Sequence, residues 1–166
     1  MKDDAVEYSA LFRARYVDVL RFIERRVASP EDAAELAADV FRIAWQRFEP
    51  GEASRAWLFG IARNVVLEHY RKTGRRMAAT RRYEAEFAVQ LGSPQEVDGD
   101  HPVLDALARL PEHMQEILRL RYWDGLEVAE IAQVLGATQT SVRVRLHRAR
   151  ARIKPLVSSH VKEGGR

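Results

Sequence analysis

Apolar residues return every three or four positions along almost the whole chain, the spacing that gathers them on one side of a helix. Tyr8, Leu11, Phe12, Val19, Phe22, Ile23 and Val27 form the first such stripe and predict a helix from about residue 6 to 28. Ser29-Pro30-Glu31-Asp32 then restarts the chain. The serine can cap free amide groups, proline suits the first helical position, and two acids favour the positive end of the helix dipole. The helix predicted there runs from about 30 to 47, and its apolar residues point two ways. Ala33, Leu36, Ala37, Val40 and Ala44 make a core set, while Phe41, Trp45 and Phe48 lie at another angle, so this helix has more than one thing to bury. Pro50-Gly51 interrupts, and Trp57, Leu58, Ile61, Ala62, Val65 and Val66 carry a third stripe to about Lys72. No alternating strand pattern competes.

From Arg76 to Pro102 the periodicity fades. Gly92-Ser93-Pro94 followed by Glu96, Asp98, Gly99 and Asp100 reads as a linker, with 83–91 a candidate short helix. Val103, Leu104, Leu107 and Leu110 then mark a helix, and Pro111 opens another that carries Met114, Ile117, Leu118, Leu120 and Tyr122 and stops near Gly125. Val128, Ile131, Ala132 and Leu135 fit a short helix closed by Gly136, and Val142, Leu146, Ala149 and Ile153 stripe a longer last one. The expected fold is all-α: two small helical domains, 1–75 and 103–158, joined by a flexible acidic linker over 76–102 and followed by a tail over 159–166.

Composition narrows the function. The 166 residues are 46% hydrophobic and 31% charged, too apolar for a wholly disordered chain. The absence of cysteine removes disulfides, thiol nucleophiles and cysteine-bound zinc, and points to a reducing cytoplasm. The longest stretch free of Lys, Arg, Asp and Glu is Ile131–Val142, too short for a membrane span, and Met1-Lys2-Asp3-Asp4 is no secretory signal. His69, His101, His113, His147 and His160 form no HExxH or close ligand pair, and no nucleophile motif or phosphate loop occurs. An enzyme, a metal site and a bound cofactor are therefore not expected.

Charge becomes informative once it is placed. Net charge is only +3, and 23 of the 27 basic residues are arginine. Residues 1–75 hold 13 bases and 12 acids, 76–102 hold 3 and 5, and 103–166 hold 11 and 7. Arg63, Arg71, Lys72, Arg75, Arg76, Arg81 and Arg82 are opposed in their span only by Glu68. Arg143, Arg145, Arg148, Arg150, Arg152 and Lys154 follow one another with no acid between them. Two basic stripes suggest two contacts with one polyanion. The second stripe belongs to a helix-turn-helix pattern over Glu127–Arg152, with Gly136-Ala137-Thr138 as the turn. Its last helix buries Val142 and Leu146 and turns Gln139, Thr140, Arg143, His147 and Arg148 outward, the chemistry of a major-groove reader. In the first stripe, aromatics interleaved with arginine over Ser54–Lys72 suit single-stranded nucleic acid, although Trp57 and Phe59 also suit a core.

Four blocks now carry a resemblance: Asp32-Ala33-Ala34-Glu35-Leu36-Ala37-Ala38-Asp39-Val40-Phe41-Arg42-Ile43-Ala44-Trp45; Arg55-Ala56-Trp57-Leu58-Phe59-Gly60-Ile61-Ala62-Arg63-Asn64; Leu110-Pro111-Glu112; and Glu130-Ile131-Ala132 ahead of the basic helix. In this order and spacing, over about residues 8–155, the chain resembles bacterial RNA polymerase sigma factors of the extracytoplasmic-function group in the sigma-70 family. The resemblance implies a region 2-like first domain, a region 4-like last domain and no region 3 between them.

It also implies partners and sites. Core RNA polymerase would be bound at the clamp of its largest subunit by Asp39, Phe41, Arg42 and Trp45, with Phe41 or Trp45 partly exposed until polymerase arrives. The flap region of the second-largest subunit is the other contact. Phe48, Glu49, Pro50, Gly51, Glu52 and Ala53 would capture a base flipped from the −10 element, with Asn64 beside that pocket. Flipping costs a few kcal/mol of stacking, so the captured base becomes a check during melting. Trp57, Arg63, Arg71, Lys72 and Arg75 complete the −10 set. Arg121, Gln139, Thr140, Arg143, Val144, His147 and Arg148 would meet the −35 element. The acidic linker would lie in the polymerase's RNA exit channel, and an anti-sigma factor is an implied regulator. The 49–53 loop departs from the family pattern with two acids and no second aromatic, and Val144 stands where many relatives carry a small polar residue. The competing reading is a stand-alone helix-turn-helix regulator that binds duplex operators without polymerase.

Overall fold

The computed structural model describes residues 2–74 and 102–163, so the linker up to its last residue Pro102, the candidate 83–91 helix and Arg75, Arg76, Arg81 and Arg82 lie outside the described residues. The chain separates into two compact units, Met1–Ala79 and Thr80–Arg166, and no strand occurs among the described residues.

The first unit is built on three helices, α1 (Lys2–Glu24), α2 (Pro30–Gln46) and α3 (Arg55–Thr73), each packed on the other two. Ser29 caps α2 by accepting from the Asp32 amide, with Pro30 at its first position, and Ser54 caps α3 by accepting from the Trp57 amide at 3.1 Å. The Glu31 carboxyl is held below the usual carboxylate range by its own backbone amide first and the Ser29 hydroxyl second. Every member of the α2 core set is buried, against Val19, Phe22 and Ile23 of α1 and Leu58, Ile61, Ala62 and Val66 of α3. Burying a Val, Leu, Ile or Phe side chain contributes about 1.5–3 kcal/mol, so the larger members of these facing stripes do much to hold the unit together.

Polar ties then fix the helices in register. The Tyr8 hydroxyl donates to the Phe41 carbonyl, and the Tyr70 hydroxyl donates to the Arg26 carbonyl. Arg26 is buried, its guanidinium 3.7 Å above the Phe22 ring and donating to the Phe22 carbonyl at 2.9 Å, while Phe22 stacks on Phe59 at 4.8 Å. Helix α1 begins and ends about four residues earlier than its apolar stripe suggests. Val27 is buried beyond its end, in a turn that donates to the Ile23 carbonyl.

The second unit consists of α4 (Pro102–Ala108), α5 (Glu112–Leu118), a π-helical turn (Arg119–Trp123), α6 (Val128–Leu135) and α7 (Gln139–Glu163). The long α7 is its spine, packing against α4, α5 and α6. Val142, Leu146, Ala149, Ile153 and Val157 form its buried stripe, facing Val103, Leu107, Ile117, Leu118 and Ile131. The stripe carries α7 through Pro155 and into the stretch read as a tail. Proline removes one ladder hydrogen bond, but Ile153 and Val157 remain buried on either side of it.

The π turn is the main departure from the sequence pattern, which predicts one uninterrupted helix there. Its wider hydrogen bonding, Asp124 amide to Arg119 carbonyl at 3.1 Å, buries Leu120 and Trp123 together with Arg119. The Arg119 guanidinium lies 5.4 Å from the Trp123 ring centre and donates to the Gln115 side chain at 2.9 Å.

Candidate nucleic-acid interface

In the second unit the residues that read as DNA-facing converge on one helix. Gly136, at φ 62°, closes α6 in the left-handed region that glycine enters without strain. Ala137 donates back to the Ala132 carbonyl at 2.9 Å, and Thr138 caps α7 by accepting from the Ser141 amide at 3.1 Å. The turn thereby sets α7 at a fixed angle to α6. With Val142, Leu146 and Ile153 facing inward, Gln139, Thr140, Arg143, Val144, His147 and Arg148 are all exposed, as are Arg145 and Arg152. Arg143 reaches back to the Gln139 side-chain oxygen at 3.3 Å, which orients both groups.

Two arginines behave differently. Arg150 is folded back, donating to the Tyr122 hydroxyl with its guanidinium 5.6 Å from that ring's centre, so the basic run is not one solvated face. Arg121, the −35 candidate outside α7, donates to the Leu126 carbonyl at 3.1 Å and lies 3.9 Å from the Glu127 carboxylate. It ties the π turn to the start of α6, where the Glu127 amide donates to Glu130 at 3.2 Å.

In the first unit six of the candidate residues line two separate cavities. A groove of about 390 Å³ between α2 and α3 has Leu36, Ile43, Ile61 and Val65 as its apolar lining and is rimmed by Glu35, Asp39, Glu68, Arg42, Arg47 and Lys72, with Asn64 and His69. Asp39 and Arg42 pair across one turn at 3.6 Å. Asn64, expected beside the 48–53 loop, therefore shares a groove with the candidate polymerase-binding pair. Phe48 lines a second cavity with Lys2, Asp4, Ala5 and Trp45, and the loop is tied to α1, where the Gly51 amide donates to Glu7 at 2.8 Å. Asn64 and Phe48 thus line different cavities.

The aromatic face of α2 resolves the alternative between Phe41 and Trp45. Phe41 is only 4% exposed, sealed by Phe12 at 4.8 Å and Tyr16 at 5.9 Å, whereas Trp45 is 49% exposed. Tyr8 stands edge-on to both Trp45 and Phe48, and burial raises its phenol pKa. Trp57 is half-buried in the first turn of α3.

Glu68 was legible only as the lone acid in a basic span. It accepts two hydrogen bonds from Arg71, at 2.8 and 2.6 Å, and lies 4.0 Å from Lys72. The Arg71 hydrogen bonds hold the Glu68 carboxyl below its usual range, and Glu68 in turn raises the Arg71 guanidinium. Two bases of the candidate −10 set thus share one acid. Among the described residues no group of His, Asp and Glu could hold a metal ion, and no helix is long and apolar enough to cross a membrane.

Comparison with known proteins agrees with this geometry unit by unit. Residues 11–76 match the Sigma-70 region 2 family, and residues 100–153 match Sigma-70, region 4. The chain is 32% identical over 139 residues to the ECF RNA polymerase sigma factor BldN of Streptomyces coelicolor, covering 79% of this chain but only 53%, about half, of BldN. It is 30% identical over 152 residues to the RNA polymerase sigma factor HrpL of Pseudomonas syringae, covering 85% of this chain and 82% of HrpL. The ECF RNA polymerase sigma factor SigL of Mycobacterium tuberculosis is 28% identical, with 87% and 88% covered. Among solved structures, CnrH in complex with the cytosolic domain of CnrY superposes with a TM-score of 0.62 at 25% identity, over 92% of this chain and 88% of that one. The sigma factor RpoE from Bartonella quintana shares the fold, with a TM-score of 0.55 at 23% identity over 95% and 98%. With both regions matched in chain order and HrpL aligned over most of its length, the chain belongs to the sigma-70 family of RNA polymerase sigma factors, in the extracytoplasmic-function group.

Proposed function

We propose that the chain is a dissociable promoter-specificity subunit, acting in the cytoplasm with no chemistry of its own while polymerase supplies the catalysis. The observation that carries this reading is the outward face of α7, where Gln139, Thr140, Arg143, His147 and Arg148 stand exposed opposite the buried Val142, Leu146 and Ile153. That face can enter a major groove and read the −35 element, since bidentate arginine and amide or hydroxyl groups match base edges. The first unit, over 1–75, takes the other two tasks. Exposed Trp45 with the Asp39–Arg42 pair is the surface offered to the polymerase clamp. Phe48–Ala53, Trp57, Arg63, Asn64, Arg71 and Lys72 handle the −10 strand, and Glu68 must release Arg71 and Lys72 to phosphate.

Asn64 and Phe48 line different cavities in the free chain, so base capture moves the loop toward Asn64 and exchanges the Gly51–Glu7 contact. An exchange of one exposed carboxylate contact is a small cost beside the unstacking of a base. CnrH has been solved with the cytosolic domain of CnrY. A comparable anti-sigma partner would cover Trp45 and the DNA-facing bases together, blocking polymerase and promoter at once.

The test is reconstitution. Purified chain plus core polymerase should initiate at a discrete set of genomic promoters, and mapping their transcript starts would reveal both elements. Silence across a genome-wide run-off screen would sink the reading. Tight binding of duplex operators by the chain alone would favour the stand-alone regulator instead.

A further inference from the structure

Among the described residues of the second unit, Val144 is the one large apolar side chain left exposed, at 42%. Its place on α7 is specific. At about 100° per residue, the turn of a regular helix, Val144 lies directly opposite the buried Ile153 and so at the centre of the outward face. Thr140 and Arg148, one turn before and after it, and His147, three residues on, flank it; Arg143 and Arg145 stand at the two margins, and all five are exposed. An aliphatic group is thus ringed by polar and cationic groups on a helix that buries Val142, Leu146, Ile153 and Val157 on its opposite side.

Cations at the margins attract phosphate without regard to sequence, and in doing so they hold the centre of the face against the groove floor. The floor of the major groove presents hydrogen-bonding atoms at every base pair and one apolar group, the C5-methyl of thymine. A valine at the centre of the face gains nothing from the hydrogen-bonding atoms and leaves them dry. Against the methyl it removes apolar surface on both sides from water. We propose that Val144 reads a thymine methyl in the −35 element, making an apolar contact its part in promoter choice. The proposal rests on the reading of α7 as the −35 helix.

The experiment replaces thymine by deoxyuridine, which deletes the methyl and keeps the base pair. Holoenzyme reconstituted from the full chain and core polymerase is titrated with promoter duplexes carrying uracil at each −35 thymine of either strand in turn. At one position uracil should weaken wild-type binding about four-fold, the scale of one buried apolar carbon. With Val144→Ala holoenzyme the same uracil should change affinity less than about two-fold, half that effect on the same scale. Val144→Thr, which keeps one methyl, should fall between. The exposed site and alanine's strong helix preference keep the fold intact in the first variant.

Three results would overturn the proposal. Wild-type binding could be indifferent to every uracil, the sensitivity could survive Val144→Ala unchanged, or Val144→Ala could weaken the binding of core polymerase in the absence of DNA, which would make Val144 a protein contact. Failure of the wider reading looks different: wild-type holoenzyme would show no dependence on any −35 sequence, methylated or not.

Discussion

The two units bury their cores in similar ways and leave different surfaces behind. The first exposes Val6, Phe12, Val17, Trp45 and Leu67, several of them aromatic or close to aromatics; the second exposes Val144 alone among its described large apolar residues. In the first unit Asp39, Arg42, Asn64 and Lys72 line an α2/α3 groove and Trp45 and Phe48 another cavity, while the candidates of the second unit mostly occupy one face of one helix. The difference follows the partners proposed. A protein clamp and an unstacked base both offer apolar surface, so their receptor must keep apolar groups in reach of solvent. A closed duplex offers phosphates and base edges, and the matching face is polar and cationic.

The comparison breaks most easily at Phe41 and Trp45. Phe41→Ala should destabilise the first unit by about 3–5 kcal/mol, as truncations of buried aromatics do, and hydrogen exchange over α1–α3 would register it. Trp45→Ala should leave that protection largely intact and instead weaken core polymerase about ten-fold or more, as expected of an interface tryptophan. If both variants lose stability alike, the exposed aromatic is a structural residue.

Next come the cations of α7. Arg143→Ala and Arg148→Ala should each cost about 1–3 kcal/mol of −35 binding if they touch bases. An equal loss on every sequence in a competition titration would assign them to phosphates. Asn64→Ala should act on the other unit and at another step, slowing open-complex formation about ten-fold or less, since it removes one of several contacts to the flipped base. Unchanged permanganate reactivity of the −10 strand would exclude Asn64 from melting.

The smallest effects concern Glu68. Glu68→Gln frees Arg71 and Lys72 and should raise affinity for single-stranded DNA about two-fold, the scale of one exposed ion pair, with a steeper salt dependence. Glu68 and Glu31 both have folded-state pKa values below the ordinary glutamate range. Their contribution to the first unit is therefore complete above that range and declines as pH falls through the lowered values. A carboxyl NMR titration of the full chain should place both midpoints below those of free glutamate. Ordinary midpoints would mean that neither contact persists in solution.

Much of this was legible in the sequence because long amphipathic stripes leave little choice. The α2 core set, the Ser29 cap and the Gly136 turn lie where periodicity and capping chemistry put them, while the Ser54 cap of α3 was not read from the sequence. What escaped depends on contacts distant in sequence. Whether Phe41 or Trp45 faces inward is decided by where Phe12 and Tyr16 of α1 arrive, which no property of α2 reveals. The π turn at Arg119–Trp123 looks helical in pattern, and its wider bonding, from the Asp124 amide to the Arg119 carbonyl, leaves no mark on the spacing of apolar residues. Asn64 and Phe48 line different cavities, and the loop after Phe48 is held by the Gly51–Glu7 hydrogen bond, which joins residues 44 positions apart. Arg150 counts as one more base in the sequence and turns out to be occupied by Tyr122.

The identity of the outward cations on α7 has a consequence for control. Arg143, Arg145, Arg148 and Arg152 are all arginine, with Lys154 beyond them. A guanidinium stays protonated at any physiological pH, and acetylation, which neutralises lysine, does not act on it. The four arginines of the proposed recognition face thus hold a charge that lysine-modifying enzymes cannot remove.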